Sequence, residues 1–436
     1  MSGISLDRPL AERRRWHITW TPTFVVFLCY ACIMLSARLP IASAVMAVGL
    51  LSLAVQRERL RTPKFVLLFA AWIAWAGVGY VWTRYPEQLV WDSLIEHGKL
   101  VLVTFVAVNA LRTMTQARYF MVGVLVAFIL FPARSSIVGY LLGNRLFGRA
   151  IGPIPYENPN DLAALCVLML GPALALWAGA ARRSLLRWVG VAAAAPLLVV
   201  IVLTQSRGAF LALAIIALPS AIALARRRPR SAIALASLVT LALYLAPATF
   251  WQRMQGLRKA TSVQTINEMD PEGSARTRFA VLQTAIRIVQ DHPVVGIGLG
   301  AYGLANAHYS PALGDLDTHN TYLNILAETG VPGLVLFIAL VTSVLLDARE
   351  TRRRVKGVWP AQAEVLRWLQ YGVIGYLVAG IFGSYARVAF PYLFLALMWS
   401  ASRALRAQLP PPAPAAPPTS SAGAAARVLG VRRSPV

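Results

Sequence analysis

Long apolar runs, separated by short polar segments, dominate the chain. About twelve of them are long enough to cross a bilayer, because roughly 20 helical residues span a hydrocarbon core of about 30 Å. They lie near 18–36, 39–56, 64–82, 94–111, 118–142, 160–180, 185–204, 208–225, 231–249, 321–346, 366–383 and 386–403. The pattern predicts an all-α polytopic membrane protein.

The spacing of the runs divides the chain into four parts. Residues 1–249 hold about nine predicted spans with short loops, and residues 321–403 hold about three more. Between them lies one large polar segment, 250–320, which contains a predicted helix at about 274–291. The tail, 404–436, is rich in Pro, Ala and Ser and is expected to be disordered.

The predicted helix in the polar segment is amphipathic, which suits a helix that rests on a membrane surface or caps a bundle. Its apolar side is predicted to hold Phe279, Leu282, Ile286 and Val289, and its polar face Arg276, Gln283, Arg287 and Gln290. Arg278 lies about 160° from Arg276, on the apolar side. A charge on a buried face needs a counter-charge. The candidates are Asp270, Glu272 or a phosphate group of a substrate.

Net charge is strongly positive, at +24, with 42 Lys and Arg against 18 Asp and Glu. The excess is concentrated in clusters at 13–15, 57–64, 182–183, 226–228 and 352–354. The predicted spans place all of these on loops at one side of the membrane. This is the positive-inside pattern, and it predicts cytoplasmic N- and C-termini. The charge therefore indicates membrane orientation and not nucleic-acid binding.

Metal and redox chemistry find little support in the sequence. Cys29, Cys32 and Cys166 all lie in apolar runs, without a second CxxC or a His cluster. Asp315-Leu316-Asp317 matches a DxD metal motif, but two carboxylates at this spacing are a weak signal. We expect no metal and no cofactor.

Arg207 stands between two apolar runs, in Thr204-Gln205-Ser206-Arg207-Gly208. An arginine so close to hydrocarbon is costly, so it indicates a functional site. The alternative is a side chain that extends to the interface to keep its charge in water.

His319 lies where the polar segment meets an apolar run, in Asp317-Thr318-His319-Asn320-Thr321. An imidazole with a pKa near 6.5 suits proton removal at neutral pH, so His319 is the candidate general base. The alternative is a histidine that only caps a helix at the interface. Glu328 would lie on the other side of the same helix, and we expect it to pair with Asn324 or a neighbouring span.

Four separated stretches resemble the O-antigen ligase superfamily of membrane glycosyltransferases, which also contains the Wzy-type polymerases. The stretches are Glu157-Asn158-Pro159-Asn160-Asp161; Ser206-Arg207-Gly208; Arg278 with Asp291-His292-Pro293 and Gly296-x-Gly298; and His319-Asn320 with Leu323, Glu328, Gly330 and Gly333. Their order and spacing agree with the family pattern.

The resemblance implies a GT-C-like fold with a large periplasmic loop at 250–320. It implies transfer of O-antigen polysaccharide from undecaprenyl pyrophosphate to a sugar hydroxyl of lipid A–core, at the periplasmic face of a Gram-negative inner membrane. His319, Arg207 and Arg278 would be catalytic. The residues that would bind substrate are Arg207, Arg278, Arg276, Asn320, Asn158 and Asn160.

Three other functions remain open. A Wzy-type polymerase and a protein O-oligosaccharyltransferase share the motifs and differ in acceptor. A lipid or sugar transporter would place charged residues near the middle of its spans and use paired broken helices. In this chain the candidate residues cluster at the ends of the spans, which favours chemistry at the membrane surface.

Overall fold

Apolar runs become helices here because a helix satisfies all of its own backbone hydrogen bonds. The computed structural model describes residues 20–36, 41–56, 59–227, 229, 233 and 274–409. Its helices are α1 (Pro22–Ser36), α2 (Ala42–Val55), α3 (Lys64–Trp82), α4 (Glu87–Ala110), α5 (Met114–Phe128), α6 (Arg134–Leu141), α7 (Pro159–Gly179), α8 (Leu185–Thr204), α9 (Arg207–Arg227), α10 (Ser274–Asp291), α11 (Tyr302–Tyr309), α12 (Thr321–Lys356), α13 (Pro360–Ala379) and α14 (Phe390–Arg406). A π-helical turn, Ile129–Ala133, joins α5 to α6, and β1 (Arg145–Leu146) pairs antiparallel with β2 (Arg149–Ala150).

Each predicted span within the described residues coincides with a helix. Six helices of the described part are long and apolar enough to cross a membrane: α3, α4, the α5–α6 run, α7, α8 and α12. The apolar helices α1, α2 and the first part of α9 are shorter. The span predicted at 231–249 lies outside the described residues. The chain is thus an all-α polytopic membrane protein, and the total of about twelve spans stays a prediction.

Several predicted boundaries were wrong, most of them because helices continue beyond the apolar run that marks them in the sequence. Helix α4 begins at Glu87 instead of 94, and α12 continues to Lys356. The basic cluster at 352–354 therefore lies in a helix and not in a loop. Helix α14 begins at Phe390 instead of 386 and extends into the predicted tail, to Arg406.

Helix α7 is the most buried of the candidate spans and packs chiefly against α8 and α13. Its crossing with α13 is close because glycines face each other. A Cβ placed on Gly372 would lie 2.8 Å from the Cα of Gly171. Small residues at such crossings allow extensive van der Waals contact, which is a main force between helices in lipid.

A second, smaller core lies at the end of the bundle where α7 and α12 begin, which we call the site end. It joins α10, α11 and the start of α4 to α12. Its buried residues include Val90, Val281, Ala285, Ile288, Tyr302 and Ala327. Helix α10 thus caps the bundle, and the helix predicted at about 274–291 is confirmed.

The predicted apolar side of α10 was partly wrong. Phe279 and Ile286 are exposed, whereas Val281, Thr284, Ala285 and Ile288 are buried. The buried stripe contains a threonine and an alanine because α11 and α12 pack closely against it. Hydrophobicity alone does not report such a contact.

Helix α12 is broken at Gly330, where φ is 67° and ψ is −175°. The segment between α10 and α11 fills the break and satisfies the backbone there. Ile297 N donates to Ala327 O (3.0 Å), Gly298 N to Glu328 O (3.1 Å) and Val331 N to Pro293 O (2.8 Å). From α3, Trp75 Nε1 donates to Thr329 O (2.9 Å).

Substitution Gly330→Ala should destabilise the protein. The backbone conformation at this position is essentially restricted to glycine and costs other residues about 1–3 kcal/mol. A Cβ would also collide with the carbonyl oxygen of Val294. Gly357→Ala is the matched control, because Gly357 has helical φ and ψ and open space around it. Thermal unfolding in detergent should show a lower midpoint for Gly330→Ala alone; equal midpoints would contradict this account.

Candidate functional site

The backbone at His319 is strained. Its φ of 50° is left-handed, a conformation that few non-glycine residues adopt. The next residue, Asn320, caps α12, and its Oδ1 accepts from Tyr322 N and Leu323 N, both at 3.0 Å. The turn before the helix is closed by Thr318, whose hydroxyl donates to Asn320 O (3.0 Å). The surrounding structure therefore determines where the imidazole of His319 is held.

The loop between α13 and α14, residues 380–389, is bonded directly to the His319 segment. Thr321 N donates to Gly380 O (2.8 Å), and the Thr321 hydroxyl donates to Gly383 O (2.6 Å). The same hydroxyl accepts from Tyr385 N (2.9 Å), and the hydroxyls of Thr318 and Ser384 are 3.0 Å apart. The 380–389 loop and the start of α12 thus form one unit.

The start of α7 joins this unit through Asn160. Its backbone carbonyl accepts from the hydroxyl of Tyr385 (3.3 Å). Burial raises the pKa of the Tyr385 phenol above its ordinary value, so that hydroxyl stays protonated and donates. The neighbouring Asn158 caps α7, and its Oδ1 accepts from Asn160 N (2.9 Å). Both predicted binding asparagines of this stretch therefore lie at the site end.

The β1–β2 hairpin links the start of α7 to the end of α8. Arg149, on β2, donates from Nη2 to Asn160 Oδ1 (2.6 Å) and from Nε to Thr204 O (2.8 Å). Gln205, the residue after Thr204, has a left-handed φ of 52°, and its Nε2 donates to Gly148 O (3.2 Å). This turn separates α8 from α9.

Arg207 is the first residue of α9 and is half-buried. Its neighbour Gly208 lies against Phe382 of the 380–389 loop, so closely that a Cβ would be 2.8 Å from the Cδ2 of Phe382. The structure thus places Arg207 beside the loop that carries Tyr385. It does so through backbone packing, which the sequence does not report.

Arg278 continues the buried stripe of α10, three residues before Val281 and seven before Ala285. It is half-buried and lies within electrostatic range of His319, Tyr385 and Asp161. The predicted partners Asp270 and Glu272 lie outside the described residues. The side chain of Arg276 is not among the described ones, so its binding role stays a prediction.

Burial, and next the positive charge of Arg278, lower the pKa of the His319 imidazole below its ordinary value, while Asp317 acts in the opposite direction. A histidine in these surroundings is neutral at pH 7 and can accept a proton. The positive charge of Arg278 therefore favours the unprotonated form of the His319 imidazole.

Glu328 is almost fully buried, at 2% exposure, and its partners confirm the predicted pairing. Its Oε1 accepts from Asn324 Nδ2 (3.2 Å) and from Tyr302 N (3.4 Å). The same oxygen accepts from Arg387 Nη2 at 2.5 Å. Arg387 belongs to the 380–389 loop.

Three residues at the site end were not predicted from the sequence: Arg149, Tyr385 and Arg387. Arg387 was placed inside the span predicted at 386–403, but α14 begins only at Phe390. A charge at the start of an apolar run is the signal that singled out Arg207, and it would also have identified Arg387. Arg149 and Tyr385 carry no such signal.

Within the described residues, no group of three or more His, Cys, Asp or Glu side chains is placed to hold a metal ion. Asp317 accepts from its own neighbour Thr318 N (2.8 Å), and Asp315 lies beside Gly303 of α11. The thiols of Cys29, Cys32 and Cys166 are free and lie in α1 and α7.

These observations define a class: a polytopic α-helical membrane protein in which a strained histidine and several arginines meet at one end of the bundle. Within it, residues 192–338 match the family model described as O-antigen ligase. This match covers about a third of the chain and confirms the resemblance seen in the motifs for that stretch. The matched interval contains Arg207, Arg278 and His319 but neither Asn158 nor Arg387. No curated protein matches the chain.

The charges around His319 can be tested by histidine NMR, since the chain has only five histidines. Arg278→Gln should raise the pKa of His319, because a cause of the lowering is removed. Asp317→Asn should lower it further, because the carboxylate that opposes the lowering is lost. Titration of isotope-labelled protein, with His319→Gln for assignment, measures both shifts. The exposed Arg287→Gln on the same helix is the control; an unchanged pKa in Arg278→Gln would refute the account.

Proposed function

We propose that the protein transfers O-antigen polysaccharide from undecaprenyl pyrophosphate to a sugar hydroxyl of lipid A–core. The observation that carries the proposal is the meeting of Arg278, a strained His319 and the start of α9 at one end of the bundle, inside a chain with an O-antigen ligase domain. The family implies substrates in which a glycan is attached to a lipid, and a site at the end of the spans suits them.

In the reaction proposed, the acceptor oxygen attacks the anomeric carbon of the donor sugar. The bond from this carbon to the pyrophosphate oxygen breaks, and undecaprenyl pyrophosphate leaves with the electron pair. A single displacement of this kind inverts the anomeric configuration. Holding both lipid-linked substrates at one surface contributes proximity, which can supply several kcal/mol of the barrier.

His319 is assigned as the base that takes the acceptor proton. Support comes from its lowered pKa, which favours the neutral imidazole, and from the turn that holds it in place. General-base catalysis by a positioned side chain typically contributes about 10²- to 10⁴-fold. A carboxylate nucleophile, and hence a covalent intermediate, has less support because Glu328 is occupied by Arg387 and Asn324.

Arg207 and Arg278 are assigned to the pyrophosphate, where negative charge develops as the sugar leaves. A guanidinium offers paired donors that match phosphate oxygens, and in a site shielded from water these interactions are strong. Arginines in this role replace the divalent ion that many phosphate-transferring sites use, so the proposal is a metal-independent reaction. Asn158, Asn160, Asn320 and Arg276 are proposed to contact the substrates.

The site is proposed to face the periplasm, with the termini in the cytoplasm of a Gram-negative cell. The basic residues 182–183 and 352–354, which lie towards the helix ends opposite the site, support this orientation. The acceptor remains the point of difference from a Wzy-type polymerase and from a protein O-oligosaccharyltransferase, and experiment separates them.

The first test is a transfer assay with purified protein, lipid-linked O-polysaccharide and lipid A–core, read as a ladder on a gel. Wild type should form the ladder, and His319→Ala should lower the rate by at least about 100-fold, because the base is lost. The control is His308→Ala, an exposed histidine at the end of α11. Chain growth from two lipid-linked glycans without a ladder would assign a polymerase. Wild-type activity in His319→Ala would remove the base.

Arg207→Lys should lower turnover by roughly tenfold to a hundredfold. Lysine keeps the charge but loses the planar fork, and a hydrogen bond to a charged group is worth about 1.5–3 kcal/mol. The same assay measures the effect, with the exposed Arg287→Lys as control. Unchanged turnover would show that Arg207 has only a structural role.

A further inference from the structure

The ion pair between Glu328 and Arg387 is unequally exposed. The Nη2 of Arg387 lies 2.5 Å from Glu328 Oε1, yet the side chain of Glu328 is 2% exposed and that of Arg387 is 46% exposed. The buried carboxylate needs a counter-charge, because an unpaired buried charge is costly. Here the carboxylate lies in the core and the guanidinium reaches out of it.

The buried carboxylate is well suited to hold a side chain still. Asn324 Nδ2 and Tyr302 N donate to the same Glu328 oxygen as Arg387. The carbonyl of Glu328 accepts from Gly298 N (3.1 Å), so its backbone is fixed by the segment that fills the α12 break. Arg387 is thus anchored to the part of α12 just before its break.

The guanidinium of Arg387 keeps donors for another group. Arginine has five N–H donors in a planar fork. Within the part of the chain that the structure describes, this side chain donates to Glu328, through Nη2. The N–H groups of Nε and Nη1 are therefore available to a further acceptor, and the side chain that carries them is nearly half exposed.

The position of Arg387 brings it to the His319 site. Its loop is bonded to the His319 segment through Thr318 with Ser384 and through Thr321 with Tyr385. Glu328 raises the pKa of the Arg387 guanidinium, and Asp317, two residues before His319, acts in the same direction. Arg387 therefore lies within electrostatic range of the segment that carries the proposed base.

We propose that Arg387 is a third guanidinium of the donor site, which binds the lipid pyrophosphate with Arg207 and Arg278, and that Glu328 positions it. This inference rests on the proposed function. Three arginines around one pyrophosphate would approach it from three parts of the chain: the start of α9, the buried stripe of α10 and the 380–389 loop.

Direct binding of undecaprenyl pyrophosphate to the purified full-length protein tests the proposal, with undecaprenol as a probe that lacks phosphate. Arg387→Gln should weaken binding of the pyrophosphate lipid by about tenfold or more, the loss of one charge-assisted contact. Binding of undecaprenol should not change. Arg84→Gln, an exposed arginine in the α3–α4 loop, is the matched control and should bind as wild type does.

Arg387→Lys separates binding from folding. Lysine can keep the charge pair with Glu328, so the thermal midpoint should stay near that of wild type, while affinity for the pyrophosphate lipid falls. Glu328→Gln should weaken binding as well. Combined with Arg387→Gln it should add nothing, because a positioning residue acts only through the side chain that it holds.

The possible results are distinguishable. Wild-type affinity in both Arg387 variants, with a lower thermal midpoint, would make the pair purely structural and overturn the inference. So would an effect confined to the KM for lipid A–core, which would move Arg387 to the acceptor. If the wild type itself binds no undecaprenyl pyrophosphate, the proposed function fails and this inference fails with it.

Discussion

The break in α12 at Gly330 organises the site end of the molecule. A broken helix in a membrane protein leaves backbone groups that lipid does not satisfy, so other parts of the protein must supply the partners. The turn at 293–298 and Trp75 do so. Since the turn follows α10 directly, satisfying the break also fixes α10, and with it Arg278. Glu328, two residues before the break, is thereby fixed as well, and its carboxylate accepts a hydrogen bond from Arg387.

Charge at the site end is arranged so that few groups stand alone. Glu328 lies in the core with three donors around it. Arg149 donates to the Asn160 side chain at the start of α7 and to the Thr204 carbonyl at the end of α8, and both acceptors are uncharged. Arg278 and Asp317 have opposite effects on the pKa of His319. The charges of this part of the molecule are therefore placed by the fold itself, through contacts between helix ends and loops.

His319 and Arg207 both lie at turns with left-handed backbone. At the first turn the left-handed residue is His319 itself, and at the second it is Gln205, two residues before Arg207. Strain of this kind persists only where the surrounding contacts over-determine it. Around His319 those contacts come from the 380–389 loop, and around Gln205 from the β1–β2 hairpin. The two loops meet at Asn160, so the two strained turns share one support.

The sequence alone determined the helices and most of the candidate chemistry, because hydrophobic length is a local property and a charge beside an apolar run is conspicuous. It thereby identified Arg207, Arg278, His319 and the α10 helix. Tertiary structure decided which face of α10 is buried, because α11 and α12 pack on alanine and threonine there. It also decided that Asn158 and Asn320 cap helices and that Glu328 pairs with Arg387, 59 residues away. Such pairings depend on how helices cross and loops meet, and no local pattern in one chain encodes that.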